Sequence, residues 1–593
     1  MDAPMIVPRA GVAVSCAIAA VLATASLCRP PACIPVDLAA AGTPRGEGDP
    51  LQFARLMPSG AVVYLSIPHL PSFMERAKGT GLARALSEKR VTALVQAVTM
   101  RLPPELATGI AGARSVGSSL LPALGGAVAV GVVADTMRAG VLHVVAVADV
   151  SRDPDAARAF GGALGMLGLA MGETSEERRG GSTVTVLRSG AREIAAWAIT
   201  NDIAVVGTSS VAVGRVVGRF GGGAASLKRS SGFARVADNV IDSAPCDYFA
   251  YVDLKQLTEV IGLPSDVVGA AREVALGGCA MAGVIGDTVK ERMFVECDST
   301  ALAALENEWD LLRGAADALP GRSLAVVAAS GDVRRLVEVL AAALGSQPAS
   351  PVRTTSARIL ASLRLVVSGP LATVARHATG TVACAVWSAG RITWYPMAGL
   401  VAPTESGEAA RQEVHDAVSE LARATRGRTR AYRPRGTAGP TVVEYVERGY
   451  LFLPLAPAPA LAAVASGIIA GGDPRSVASL ARAGERLAAS RRFTGVRKAL
   501  PDRCAVALYI DLPRVVDRAF EPYARLVLSR MMPGTRLSRG DLPAGAVVGR
   551  HLSGVGLSIQ PVKSGMRIYS ITPAGSVATI AFCAALSAAL LGT

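Results

Sequence analysis

Alternating apolar and polar positions give the chain its grammar. The stretch "LMPSGAVVYLSIPHLPSFMERA" (56–77) predicts a turn, a strand and then an amphipathic helix. The same succession recurs at "APCDYFAYVDLKQLTEVI" (244–261), "ALPGRSLAVVAASGDVRRLVEVL" (318–340) and "LPDRCAVALYIDLPRVVDRAF" (500–520). A Pro stands before each strand, where its missing N–H does no harm and its fixed φ starts an extended segment.

The elements between these stretches recur in order as well. Two apolar runs around a polar turn, a hairpin signal, occupy 127–150 and again 380–401. A long helix is predicted after each, over 153–171 and 405–425. Meandering strands follow over 182–207 and 440–472, each closing on a tight turn, Asn201-Asp202 or Ser466-Gly467. Next come "LKRSSGFARV" (227–236) and "LAASRRFTGV" (487–496), with Leu and Phe six residues apart in both. Hairpins at 279–297 and 554–571 complete the series, each followed by a helix, and the last helix (576–593) is apolar all round.

This order predicts an α+β fold of two tandem, pseudo-symmetric repeats, with mostly antiparallel sheets covered by amphipathic helices. Regular βαβ alternation is missing, which disfavours a doubly wound sheet. The expected organisation is a targeting segment and linker over 1–45, a first repeat over 46–316 and a second over 317–593.

The segment 1–45 changes the picture of location. "VAVSCAIAAVLATASL" is an uninterrupted apolar run, and Ala23-Thr24-Ala25 is an A-x-A cleavage candidate. Export is therefore expected, with the run either removed as a signal peptide or kept as a membrane anchor. At 593 residues, 51% hydrophobic and 4% aromatic, the chain can bury large cores built mostly of Ala, Val and Leu. The net charge of +14 comes from Arg scattered along the chain, densest at "RGRTRAYRPR" (426–435). No nucleic-acid fold motif accompanies that charge, so a solvated basic surface is the favoured reading and nucleic acid is not the expected partner; the partner stays open, with membrane or envelope components as the alternative.

Candidate chemistry is sparse. There is no P-loop, G-x-S-x-G, H-E-x-x-H or S-x-x-K motif. The nine Cys form no C-x-x-C pair; Cys279 and Cys297 flank a predicted hairpin across which they could face each other, but the favoured reading of such Cys is a small buried apolar residue. Gly162, Gly165 and Gly168, three apart in a helical pattern, read as close helix packing rather than a phosphate cradle. Among the five isolated His, His69 at a strand-to-helix turn has the best position for function, whereas His143 reads as a core or edge residue. Asp153, Asp155, Asp253, Asp332, Asp473 and Asp511 all fall at helix starts, where Asp is a preferred cap. Asp253 and Asp511 are the only symmetric pair for a glycosidase-like arrangement. The expectation is no catalytic residue, no cofactor-binding residue, no metal ligand and no cofactor.

"LMPSGAVVYLSIPHLPSFMERAKGTGLARAL", with "SLKRSSGFARV…YFAYVDL" and "RLAASRRFTGVRKALPDRCAVALYIDL", resembles an exported bacterial family, the domain of unknown function family thirty-three fifty-two, common in planctomycetes. The resemblance covers most of residues 56–573. It implies a secreted or membrane-anchored protein with no assigned activity, and it supplies no catalytic residues. A non-catalytic envelope module for binding or scaffolding, suited to an apolar ligand, is the expected function. The alternative is an envelope hydrolase whose site assembles only in three dimensions.

Overall fold

The structure is a computed structural model. It describes residues 48–93, 124–135, 141–150, 172–222, 225–241, 245–261, 277–298, 308–309, 311–331, 361–362, 364–388, 396–437, 441–451, 458–465, 467–482, 484–531 and 542–576, with residues 155, 158, 161, 162, 164 and 165. The targeting segment, most of the 153–171 helix and nearly all of the apolar C-terminal stretch lie outside these residues.

In chain order the first strands are β1 (Ala61–Ile67), β2 (Val128–Ala134), β3 (Leu142–Asp149), β4 (Glu173–Arg179), β5 (Ser182–Ser189), β6 (Arg192–Thr200) and β7 (Ile203–Gly207). Then come β8 (Tyr248–Asp253), β9 (Gly278–Ile285), β10 (Val289–Glu296), β11 (Glu308–Trp309) and β12 (Ser323–Ala329). The series continues with β13 (Val382–Ser388), β14 (Pro396–Pro403), β15 (Arg428–Tyr432), β16 (Val443–Glu447), β17 (Ala460–Val464) and β18 (Gly467–Gly471). It ends with β19 (Arg503–Cys504), β20 (Val506–Ile510), β21 (Val555–Val562) and β22 (Gly565–Thr572).

All but β11 and β19, which pair with each other, join one 20-stranded sheet. Every pairing in it is antiparallel. From one edge the order is β4-β5-β6-β7-β3-β2-β1-β8-β9-β10, the last of which pairs with β22. Beyond β22 it runs β21-β20-β12-β13-β14-β18-β17-β16-β15. The fold is thus α+β with a single large antiparallel sheet.

Both edges of the sheet carry charge. β4 reads ETSEERR and is almost wholly exposed, a strand that the apolar pattern of the sequence does not reveal. β15 is cut from the densest Arg cluster, and its Arg430 pairs with Glu447 on β16 at 3.1 Å. Charges along an edge discourage another chain from pairing there, so these residues have a structural reason to be where they are.

Helices cover both faces. On one face, the helices Ser231–Asp238 and Arg491–Arg497 press Phe233 and Phe493 into two large cores, with both rings 1% exposed. Burying each such ring contributes roughly 2–3 kcal/mol. The opposite face holds the helix Gly407–Ala424 over one half and the helices Leu70–Lys78 and Gly81–Leu86 near the middle. The turn between β6 and β7 has positive φ at Asn201 (50°) and Asp202 (57°), the two-residue hairpin geometry that these side chains tolerate.

Candidate functional site: a seam with a cavity on each face

β10 and β22 meet at the middle of the sheet, in register from Val289↔Thr572 to Glu296↔Gly565. Side chains alternate across a strand, so Lys290 and Arg292 point to one face and Glu291 to the other. Glu291 is an acid within a row of otherwise apolar residues, Val289, Met293 and Val295, and it is 5% exposed.

A complete set of donors satisfies its carboxylate. Tyr248 donates its hydroxyl to Oε1 at 2.5 Å, and Ser570 donates to Oε2 at 2.6 Å. The Ser576 backbone N–H lies 2.9 and 2.7 Å from the two oxygens, and the Ser576 hydroxyl donates as well. Burial, with the adjacent Glu291 charge second, pushes the Tyr248 phenol well above its ordinary range. It therefore stays a donor across the working pH range. Beside it, Asp247 accepts from the Ile285 N–H at 2.6 Å and pairs with Arg76, tying the helix Leu70–Lys78 to the sheet. Burial raises the Asp247 carboxyl, against the lowering pull of that N–H and of Arg76.

Under the helix pair Leu70–Leu86 lies a cavity of about 230 Å³. Val63, Leu65, Phe73, Ala250, Val252 and Met281 are among its walls, and Glu291 is the one charged residue among the described residues that line it. On the far face of the seam is a wider crevice of about 430 Å³, between the chain ends of the helices Ser231–Asp238 and Arg491–Arg497.

The residues singled out from the sequence go elsewhere. His69 caps the helix Leu70–Lys78, with Nδ1 accepting from the Ser72 N–H at 3.1 Å. His143 lies 3.2 Å from Asp135, His377 3.0 Å from Glu413 and His415 2.7 Å from Glu444. His551 lies against Glu88. Asp253, Asp473 and Asp511 accept first-turn amides, from Gln256, from Arg475 and Ser476, and from Arg514 respectively. Asp155 pairs with Arg158 at 2.6 Å, while Asp153 and Asp332 lie outside the described residues.

Asp253 and Asp511 do not meet. β8 and β20 are five inter-strand steps apart, about 24 Å at ~4.8 Å per step. They also run in opposite directions, so the two carboxylates sit at opposite ends of the sheet. A glycosidase pair needs about 5–9.5 Å.

Cys279 stands opposite Val295, with Cys297 two residues further on, and both are free thiols, in keeping with their reading as small apolar residues rather than a linked pair. A Cβ on Gly162 or Gly165 would meet nothing within 4 Å among the described residues, and Gly168 lies outside those residues.

Neither Glu291 nor Tyr248 stood out in the sequence. The available signal was a lone acid at a position where strand alternation demands an apolar residue. Among the described residues no group of three or more His, Cys, Asp or Glu has the geometry to hold a metal. None of their helices is long and apolar enough to cross a membrane. No family model, no curated protein and no solved structure matches this chain.

Proposed function

We propose that the chain is a non-catalytic binding module of the cell envelope, built from two tandem repeats over about 46–316 and 317–593, and that its apolar cavity takes an apolar ligand. The resemblance of the 56–573 stretches to an exported family, and the apolar run before residue 45, support the envelope location. Cell fractionation tests it: recovery in the cytosol with the N-terminus intact overturns export.

Four details support the repeat. Strand order away from the β10–β22 seam is the same in both directions. β1 and β12 both carry a bulge at their first residues, Ala61/Val63 and Ser323/Ala325. The prolines before them form matching isolated bridges, Pro58 with Ser226 and Pro320 with Arg486. Beside those bridges the Leu227 N–H reaches the Met57 carbonyl at 2.9 Å, and the Leu487 N–H reaches that of Leu319 at 3.0 Å.

The cavity under the helix pair carries the ligand reading. It is larger than the ~150 Å³ apolar cavity that stays dry and takes benzene. Glu291, the one charged residue among its described lining, is already satisfied by Tyr248, Ser570 and Ser576, so an apolar guest leaves that charge paired. N-phenyl-1-naphthylamine, a neutral probe that brightens in apolar surroundings, tests this with the full chain. Saturable binding is expected, and both Ala250→Phe and Ala77→Leu, which fill the cavity from opposite walls, should abolish it. Circular dichroism checks that each variant is folded. Absence of binding, or equal binding by two folded filled variants, overturns the reading.

A further inference from the structure

We propose that the crevice on the other face of the seam is a second site, for a small amphiphilic anion: a carboxylate or phosphate head on an apolar body. The chain holds only seven Lys, and two of them, Lys290 and Lys498, line this one crevice. Both are exposed, and neither pairs with a carboxylate among the described residues. Lys78 and Lys228, by contrast, pair with Glu75 and Asp49 at 3.3 and 3.1 Å.

A third cation stands beside them. The Arg292 guanidinium lies over the Tyr569 ring, 5.7 Å from its centroid, an arrangement that holds the planar head in place. Glu291 reaches the crevice wall, but its carboxylate is engaged by Tyr248, Ser570 and Ser576. Around Lys290 and Lys498 the charge is therefore positive, with no carboxylate paired to either lysine among the described residues.

Apolar surface completes the site. Val284 is 47% exposed, a large hydrophobic residue left open, with Ile571 and Leu500 beside it in the crevice. A concave site of about 430 Å³ with apolar walls and a few convergent cations fits a head-and-tail anion. A free inorganic anion would leave the walls unused. A neutral hydrocarbon would leave the cations unused. The two halves contribute jointly, Lys290 and Arg292 from one and Lys498 and Tyr569 from the other, so the site exists only when the seam is closed.

Calorimetric titration of the full chain with monomeric dodecanoate and dodecyl phosphate tests the proposal. Dodecanol, dodecyltrimethylammonium and inorganic phosphate serve as controls. Either amphiphilic anion should bind at least about tenfold more tightly than any control, and the double substitution K290E/K498E should remove that margin. K290R/K498R, which keeps the charge, should retain it. Ala250→Phe, on the opposite face, should leave it unchanged, which separates this site from the apolar cavity. The proposal is overturned if neither anion binds, if dodecanol or phosphate binds as well, or if a folded K290E/K498E protein binds dodecanoate and dodecyl phosphate as the parent does.

Discussion

Glu291 and Ser570 face each other directly across the β10–β22 seam, and the serine hydroxyl donates to the carboxylate at 2.6 Å with both residues buried. The first prediction follows from how many donors that carboxylate serves. Glu291→Gln keeps the shape but offers one acceptor oxygen to donors arranged around two. It should cost about 2–4 kcal/mol, the scale of buried donors left unpaired beside a lost charge. Ser570→Ala removes one bond and should cost about 1 kcal/mol. In urea denaturation the double variant should cost less than the two singles added, because they share one carboxylate. Strict additivity would show that the seam is not held as a network.

Asp511 is the stronger of the two symmetric caps. It is 1% exposed, caps the helix Leu512–Met531 through the Arg514 N–H at 3.2 Å, and lies 3.3 and 3.4 Å from the Arg492 and Arg514 guanidinium groups. Asp253 is half-buried and accepts from the Gln256 N–H at 2.9 Å. Asp511→Ala should therefore cost about 2–3 kcal/mol, and Asp253→Ala about 1 kcal/mol, the ordinary value of a lost cap. Asp511→Asn keeps the cap acceptor and should recover about 1 kcal/mol. Thermal unfolding of the three variants checks the order, and D253A being the costlier of the two alanine variants would contradict it.

Local grammar was readable in the sequence and long-range assembly was not. The spacing of Leu227 and Phe233, repeated at Leu487 and Phe493, marks four fully buried side chains. Phe233 meets Tyr251 edge-on at 4.9 Å, and Phe493 meets Tyr509 edge-on at 5.1 Å. The recurring stretches at 244–261 and 500–520 thus each place a core tyrosine, Tyr251 or Tyr509, just before a helix-capping Asp, Asp253 or Asp511. The continuous sheet was hidden because antiparallel edges pair through backbone groups, which carry no sequence signature. β4 was hidden because an exposed edge strand has no apolar face to alternate. The seam depends on Glu291, whose partners lie as many as 285 residues away. No spacing within the chain announces such a contact.

Thiol chemistry gives a third prediction. Burial pushes the Cys246 and Cys279 thiols up to about 11, and raises Cys297 as well. At pH 7 a thiol near 11 is ionised at about one part in ten thousand, and only the thiolate reacts fast. N-ethylmaleimide should leave all three unlabelled in the native protein and label them after denaturation, as mapped by mass spectrometry. Rapid native labelling, or a Cys279–Cys297 linked peptide, would show that the hairpin register is wrong.

The last prediction concerns acid. Glu88 follows the helix Gly81–Leu86 and accepts from Arg550 and His551, joining chain segments more than 460 residues apart. The Arg550 hydrogen bond and then that of His551 hold its carboxyl below the usual value of 4.5. A carboxylate depressed in the folded state contributes stability that is present above its unfolded value and lost as pH falls through the folded one. The window therefore opens near pH 4.5 and extends downward. Urea midpoints at pH 6 and at pH 3.5 should differ less for Glu88→Gln than for the parent, because the variant has no proton to take up there. At pH 6 the variant should also be the less stable of the two, since it lacks the ion pair from the start. Raising salt should shrink that difference, as the pair is exposed enough to be screened. An equal midpoint shift in both proteins would show that this contact does not help hold the two ends of the chain together.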